Sequence, residues 1–306
     1  MFVPIKRLIG GCLLALVAAQ ASAATYPLPV DGDVVGQTQM ATLQSGVSLS
    51  TVAENYDIGY YELLEANPQM NPLRPYVGQR VLIPTQYILP QTARKGIIIN
   101  LAELRLYYFP ADQSVVVTEP IGIGRMGWNT PEGEFKIIEK IPQPTWHVPA
   151  SIAADSAKQG VVLPKSIPPG PDNPLGNYAM RLSLPDYLIH GTNRPAGVGR
   201  RVSSGCIRMY PEDIAALFQM VPVGTPVTIV NEPFKAGWLD GHLYFEAVQP
   251  LTEQREKLGT DLSTLWVKAI DQAIAGTHTQ VNWNKAGMLA KQQSGIPQII
   301  GKIAQA

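Results

Sequence analysis

The sequence predicts a mainly β fold, preceded by a small α+β unit and followed by a partly helical tail. Three observations predict it. Proline and glycine each occur 27 times in 306 residues, which favours short strands and many turns over a helical bundle. From Gly96 onward, runs such as Ile97-Ile98-Ile99-Asn100 and Leu104 to Phe109 are β-branched or aromatic and bounded by turn residues. Before them, residues 38–84 carry two short helical patterns between two short apolar runs.

In that first unit, Ser50 to Tyr56 has helical spacing, and Tyr61 to Asn67 forms a second helix stopped by Pro68. Arg80 to Ile83 then reads as a strand closed by Pro84. The β pattern continues through Val115 to Thr118, Pro120 to Gly124 and, after the turn Thr130-Pro131-Glu132-Gly133, Glu134 to Glu139. Between Pro142 and Pro174 prolines crowd the chain, with Gly160, Gly170 and Gly176 among or just beyond them. This is a long excursion of the kind that often shapes a substrate site. Strand character resumes at Tyr178 to Leu182 and Tyr187 to Ile189. Pro211-Glu212-Asp213 opens a helix, with proline in the first position and acids in the first turn, and Ile214, Leu217, Phe218 and Val221 mark its buried face. Val227 to Val230 ends the β pattern at about residue 231. Residues 232–306 are expected to hold a helix from Leu262 to Ile274 within a Gln-, Asn- and Gly-rich extension that shows no chemical motif.

Hydrophobic residues make up 45% of the chain, enough for a core, and charged residues only 16%. The formal charge is zero and no Lys/Arg cluster stands out, which argues against nucleic-acid binding, where phosphate neutralisation supplies most of the affinity. Residues 1–23 read as a cleavable secretion signal: Lys6 and Arg7, a short apolar stretch from Leu8 to Ala19, then the small-x-small Ala21-Ser22-Ala23. The apolar stretch is short for a membrane span. Cys12, in Ile9-Gly10-Gly11-Cys12, suggests a lipoprotein box, but too little precedes it and apolar sequence continues past it. It is read as part of the signal. The expected mature protein is exported, to the periplasm, with a net charge of −2 and Cys206 as its one cysteine. A lone thiol in an oxidising compartment makes no internal disulfide and calls for a reason. Burial as a small core hydrophobe is the bland one.

The context of Cys206 supplies another. His190-Gly191-Thr192-Asn193 is followed by an Arg/Gly-rich loop and then Ser203-Ser204-Gly205-Cys206-Ile207-Arg208, with 16 residues separating histidine from cysteine. His190 ends an apolar strand and Cys206 follows a Ser-Ser-Gly turn, so imidazole and thiol can meet as neighbours in a sheet. A cysteine nucleophile needs a base to take its proton. Gly205 permits close backbone approach, and the amides around Gly205 and Cys206 are candidate oxyanion donors. Arg208 is a candidate clamp for a substrate carboxylate and favours the thiolate. A carbonyl near Gly191 is a candidate orienter for the imidazole. Taken singly, each of these residues has a plain structural role available; the full string is far more specific than its parts.

The region from Gly96 to Asn231 resembles the L,D-transpeptidase catalytic domain of the YkuD type, and residues 38–84 resemble the peptidoglycan-binding LysM module. The features that carry the second resemblance are Ala53, Leu63-Leu64, Ala66-Asn67-Pro68, Pro75, Gly78-Gln79 and Ile83-Pro84. A structural cap on the next domain is the competing reading of that unit. With the leader and the Ser294-Gly295-Ile296-Pro297 tail, the whole resembles the ErfK/YbiS/YcfS branch of the family. The resemblance implies a β-rich, sandwich-like catalytic domain and acyl transfer through a Cys206 thioester, with His190 as base. It also implies peptidoglycan as substrate and partner, and neither metal nor cofactor. In this branch it implies the lysine of the murein lipoprotein as acceptor; other members join diaminopimelate residues or use water. One departure is visible: the family's usual histidine before Gly-Cys is Ser204 here, which puts a side-chain role at that position in doubt. A hydrolase using the same pair and a non-catalytic peptidoglycan-binding protein are the rival readings.

Overall fold

The computed structural model describes residues 24–111, 114–259 and 261–304; the expected leader with Cys12 lies outside the described residues. The molecule is β-rich, and its centre is a nine-stranded sheet. In spatial order its strands are Ala24–Pro27, Val115–Pro120, Arg105–Phe109, Gly96–Asn100, Pro226–Val230, Gly133–Pro142, Tyr178–Leu182, Leu188–His190 and Ile207–Arg208. Two neighbouring pairs are parallel: Pro226–Val230 with Gly96–Asn100, and Leu188–His190 with Ile207–Arg208. The apolar runs are continuous because both faces are covered. Side chains alternate between faces along a strand. Ile97, Ile99, Leu106, Tyr108 and Val117 therefore pack with Met180, Ile189 and Ile207 against Ile214, Leu217 and Phe218 of the helix Pro211–Met220. Ile98, Tyr107, Phe109 and Val116 point the other way, onto Val35, Tyr87 and Leu89.

The first unit has the order read from sequence. Gln39–Thr42 pairs antiparallel with Arg80–Ile83, and the helices Leu49–Asn55 and Tyr60–Glu65 lie between them. Ser48 caps the first helix by accepting from Thr51 N at 3.0 Å. The buried Asn67 amide joins the end of the second helix to the last strand: Nδ2 donates to Leu63 O and Leu82 O, each at 2.8 Å, and Oδ1 accepts from Leu82 N at 2.9 Å. This unit docks on the loop between His190 and Cys206. Tyr61 N donates to Gly199 O at 3.4 Å, and the Arg200 guanidinium lies 3.7 Å over the Tyr60 ring. Arg105, only 1% exposed, reaches across from the central sheet to Glu62 at 2.8 Å.

Beyond Asn231 the chain holds more than the expected helix. Phe234–Leu239, His242–Ala247, Gln298–Ile303 and Thr279–Val281 form a four-stranded antiparallel sheet, in that order. The helices Ser263–Ile274 and Trp283–Gln292 contribute Ile270, Ala286 and Leu289 to its core, with Phe234, Phe245 and Ile300. Phe234–Leu239 and His242–Ala247 carry no β-branched residue, and packing between elements helps to decide them. Lys235 fastens this unit to the rest: it pairs with Glu103 and, at 3.4 Å, with Glu246, and donates to Ile88 O. Burial alone would lower the pKa of this ammonium, but the Glu103 and Glu246 carboxylates outweigh it and hold the pKa up.

Gly199 is where the docking leaves no room. A Cβ there would lie 2.3 Å from Gly59 Cα, and its φ is +68°. Gly199→Ala is expected to lower stability by about 2 kcal/mol or more in urea unfolding, through both clash and backbone strain. A variant as stable as the parent would show that the two units are not held at this contact.

Candidate active site

The sheet edge builds the site. Ile189 pairs with Ile207 and His190 with Arg208, in parallel register, and Met209 N donates to His190 O at 2.9 Å. Cys206 stands immediately before this pairing, level with Leu188. His190, opposite Arg208, faces the same way as Arg208. Histidine and cysteine, 16 residues apart in sequence, are thus brought to paired strands, His190 within one and Cys206 immediately before the other.

The histidine is buried and its tautomer is set. Nδ1 lies 2.6 Å from Gly191 O, and the Leu175 carbonyl also faces the ring. A carbonyl only accepts, so Nδ1 carries the proton and Nε2 presents a lone pair. Burial, and then the Arg208 charge, push the imidazole down to about 4. Leu175 belongs to the proline-rich excursion, which sequence reading did not connect to the histidine. The excursion is anchored there by Asn173, fully buried, whose Nδ2 donates to Pro144 O at 2.7 Å and whose Oδ1 accepts from Leu175 N at 2.9 Å.

Cys206 is partly exposed and its Sγ donates to Asp186 O at 3.6 Å. Burial raises the thiol above its ordinary value; a hydrogen bond from the Leu188 amide and the Arg208 charge pull it down, but by less. The expectation that Arg208 favours the thiolate is therefore met in sign and outweighed in size. At neutral pH the resting pair is thiol and neutral imidazole.

The turn before the cysteine is held from several sides. Ser203 Oγ donates to Cys206 O at 2.6 Å and accepts from Gly205 N at 3.2 Å, so the Gly205 amide is engaged within the turn. Among the described residues, no protein acceptor is found for the Cys206 amide. Thr130 Oγ1 donates to Gly205 O at 2.6 Å, giving the threonine of the Thr130-Pro131 turn a place in the site. Gly205 has φ +107°, and a Cβ there would lie 3.0 Å from the Tyr187 ring, so only glycine suits this position. Ser204 Oγ accepts from Arg125 Nη1 at 3.0 Å, while Arg125 Nη2 pairs with Asp155 at 2.7 Å. Asp155 lies on the helix Ala150–Lys158 of the excursion, so the residue at the departed position helps tie that segment to the cysteine turn. Arg125 and Asp155 are 30 residues apart in sequence and carried no motif.

Arg208 is partly buried beside Gly197 and Arg194, and its Nε is buried without a partner. Among the described residues it makes no ion pair, which leaves a guanidinium close to the thiol with hydrogen-bonding capacity to spare.

The chain matches the YkuD family, described as the L,D-transpeptidase catalytic domain, over residues 94–229, and the LysM domain over residues 42–84. It is 41% identical over 283 residues to the probable L,D-transpeptidase YbiS of Escherichia coli K12, covering 90% of this chain and 92% of that one. It is 43% identical over 245 residues to the probable L,D-transpeptidase YcfS of the same organism, covering 78% and 77%. With the probable L,D-transpeptidase ErfK/SrfK, also from that organism, it shares 39% identity over 293 residues, covering 94% of each. Identity at this level along nearly the whole length of these relatives gives one conclusion: the chain belongs to the L,D-transpeptidase family.

Proposed function

We propose that this protein acts in the periplasm, after removal of residues 1–23, and cleaves and re-forms peptide bonds of peptidoglycan stems through a Cys206 thioester. The observation that supports the reading is the parallel pairing of the His190 strand with the strand that begins directly after Cys206, with the His190 proton held on Nδ1 by Gly191 O. Among the described residues, no helix is long and apolar enough to cross a membrane.

The chemistry follows from the resting state. The neutral thiol gives its proton to His190 Nε2 as sulfur bonds to the carbonyl carbon of the third stem residue. The Cys206 amide faces the developing oxyanion. His190 then returns the proton to the leaving amine of the terminal D-alanine, the C–N bond breaks, and the thioester remains. An acceptor amine reverses these steps. Arg208 holds a carboxylate of the stem through paired hydrogen bonds, a role its lack of an ion pair among the described residues leaves open to it. The acceptor is the lysine of a murein lipoprotein or a second stem's diaminopimelate; water in their place makes the enzyme a carboxypeptidase.

Purified protein, given a tetrapeptide stem with and without an acceptor amine, should form the amine-linked product by mass spectrometry. Cys206→Ala should form none while keeping its fold, and His190→Ala should be slower by about 10²–10⁴-fold. Transfer by the cysteine-free variant would end this assignment.

Alkylation by iodoacetamide needs the thiolate. With the thiol raised and the imidazole near 4, the rate at Cys206 should climb steadily through pH 9 and beyond. A plateau between about pH 5 and 8 would mean a thiolate–imidazolium pair instead.

The LysM unit presents Leu73, Tyr76 and Val77, which are 88%, 65% and 65% exposed, between its second helix and last strand. We assign this surface to contact with sugar rings, whose apolar faces suit aromatic and aliphatic side chains. Tyr76→Ser with Leu73→Ser, in the full chain, should reduce co-sedimentation with purified sacculi several-fold without altering transfer on a soluble stem. Unchanged sedimentation would favour the structural-cap reading of this unit.

A further inference from the structure

Asp57, Glu119 and Asp213 bring three carboxylates together, with oxygens all within 4.8 Å of one another. They come from three places: the loop after the first LysM helix, the strand Val115–Pro120, and the helix Pro211–Met220. All are buried, at 9%, 0% and 5% exposure. Asp57 Oδ1, both Glu119 oxygens and Asp213 Oδ2 are buried without a conventional donor. Burial, together with the neighbouring acids, pushes Glu119 and Asp213 well above the usual carboxylate range. The nearest cation does not resolve this. Arg105 spends Nη2 on Glu62 Oε2 and Asp57 O, at 2.8 and 3.3 Å, and Nη1 on Thr118 Oγ1 at 3.2 Å. Buried acids left in this state are costly, and such a cluster calls for a partner of positive charge.

One donor already points into it. Ala24 N donates to Asp57 Oδ2 at 3.1 Å. The strand Ala24–Pro27 lies on the edge of the central sheet, with Ala24 opposite Thr118, so the nitrogen arrives beside Glu119. Within an uncleaved chain this nitrogen is an amide, with one N–H and no charge. Hydrolysis of the Ala23–Ala24 bond puts the hydroxyl of water on the Ala23 carbonyl carbon and its proton on the Ala24 nitrogen; the new carboxylic acid then loses its proton and the amine takes one up. The product at residue 24 is an ammonium with three donors and a full positive charge.

We propose that Asp57, Glu119 and Asp213 form a binding site for the α-ammonium of Ala24, created when the leader is removed. The inference rests on the export reading above for the identity of the first residue. The ammonium ties the LysM unit, the sheet edge and the helix that follows the cysteine strand into one charged contact. A chain that still carries its leader lacks this contact and buries the acids without it.

The test uses full-length chains made to begin at Ala24, or with one extra glycine before it, by cleavage of a removable tag. The Ala24 form should melt about 5 °C or more above the extended form. Glu119→Gln should lower the melting temperature of the Ala24 form and leave that of the extended form nearly unchanged, since there the buried carboxyl is held protonated and glutamine replaces it at equal charge. Equal melting of the two forms, or an equal effect of Glu119→Gln in both, overturns the proposal. So does a melting temperature of the Ala24 form that falls with EDTA and recovers with calcium, which would make the cluster a divalent-cation site. Intact mass of protein isolated from the periplasm checks the export reading separately, since the made-to-order chains test the site whatever the natural cleavage point.

Discussion

The parallel pairing of Leu188–His190 with Ile207–Arg208 is the constraint around which the rest of the molecule is arranged. It is short, and a slip of one residue would send Arg208 to the opposite face from the imidazole. Two short strands do not hold a register by themselves, and the structure supplies the support from outside. Gly122 bridges Arg208 with hydrogen bonds in both directions, at 2.7 and 2.9 Å. Ser203 and Thr130 fix the turn on either side of Gly205. The excursion contributes the Leu175 carbonyl to the imidazole. The connection between the two strands is itself held down, because Gly199 packs against Gly59. The first unit is therefore a brace on the catalytic loop as well as a candidate glycan binder, and the two roles use different surfaces.

The borders between units are built from buried charge. Arg105 with Glu62, and Lys235 with Glu103 and Glu246, are almost wholly enclosed. Such pairs add little net stability over apolar packing, since desolvation offsets most of the attraction. What they add here is geometry. An apolar border tolerates sliding, whereas a guanidinium 2.8 Å from a single carboxylate has one good position. Losing either partner leaves a buried charge alone, so the relative placement of the units is enforced by the cost of every alternative.

How much of this could be read from sequence depended on distance along the chain. The strands from Ile97 to Val117, the helix at Pro211 and the order of the LysM elements were legible because each is fixed by adjacent residues. So was the pairing of the His190 strand with the strand that follows Cys206, which one loop spans. The four-stranded sheet beyond Asn231 was not, since Phe234–Leu239 and His242–Ala247 carry no β-branched residue and Gln298–Ile303 is interrupted by Gly301 and Lys302. The Arg125–Asp155 tie to Ser204, the Leu175 carbonyl and the acid cluster were hidden for a similar reason. Each joins residues with no pattern between them, and only the fold makes them neighbours.

The state of the thiol accounts for its survival. If the protein is exported as proposed above, a cysteine without a disulfide partner meets oxidants there, and its rate of oxidation follows the thiolate fraction. Sequence suggested that Arg208 would raise that fraction. Burial acts more strongly in the other direction on Cys206 and also keeps His190 from accepting a proton at rest. Both shifts favour the uncharged thiol and imidazole in the empty site. On the function proposed above, reactivity would come with the substrate: a stem carboxylate on Arg208 would remove the charge that disfavours the imidazolium, and the developing oxyanion would compensate the sulfur's proton transfer. On this argument the lowered imidazole and the raised thiol are one device, confining nucleophilic character to the moment when an acyl group is in place to receive it.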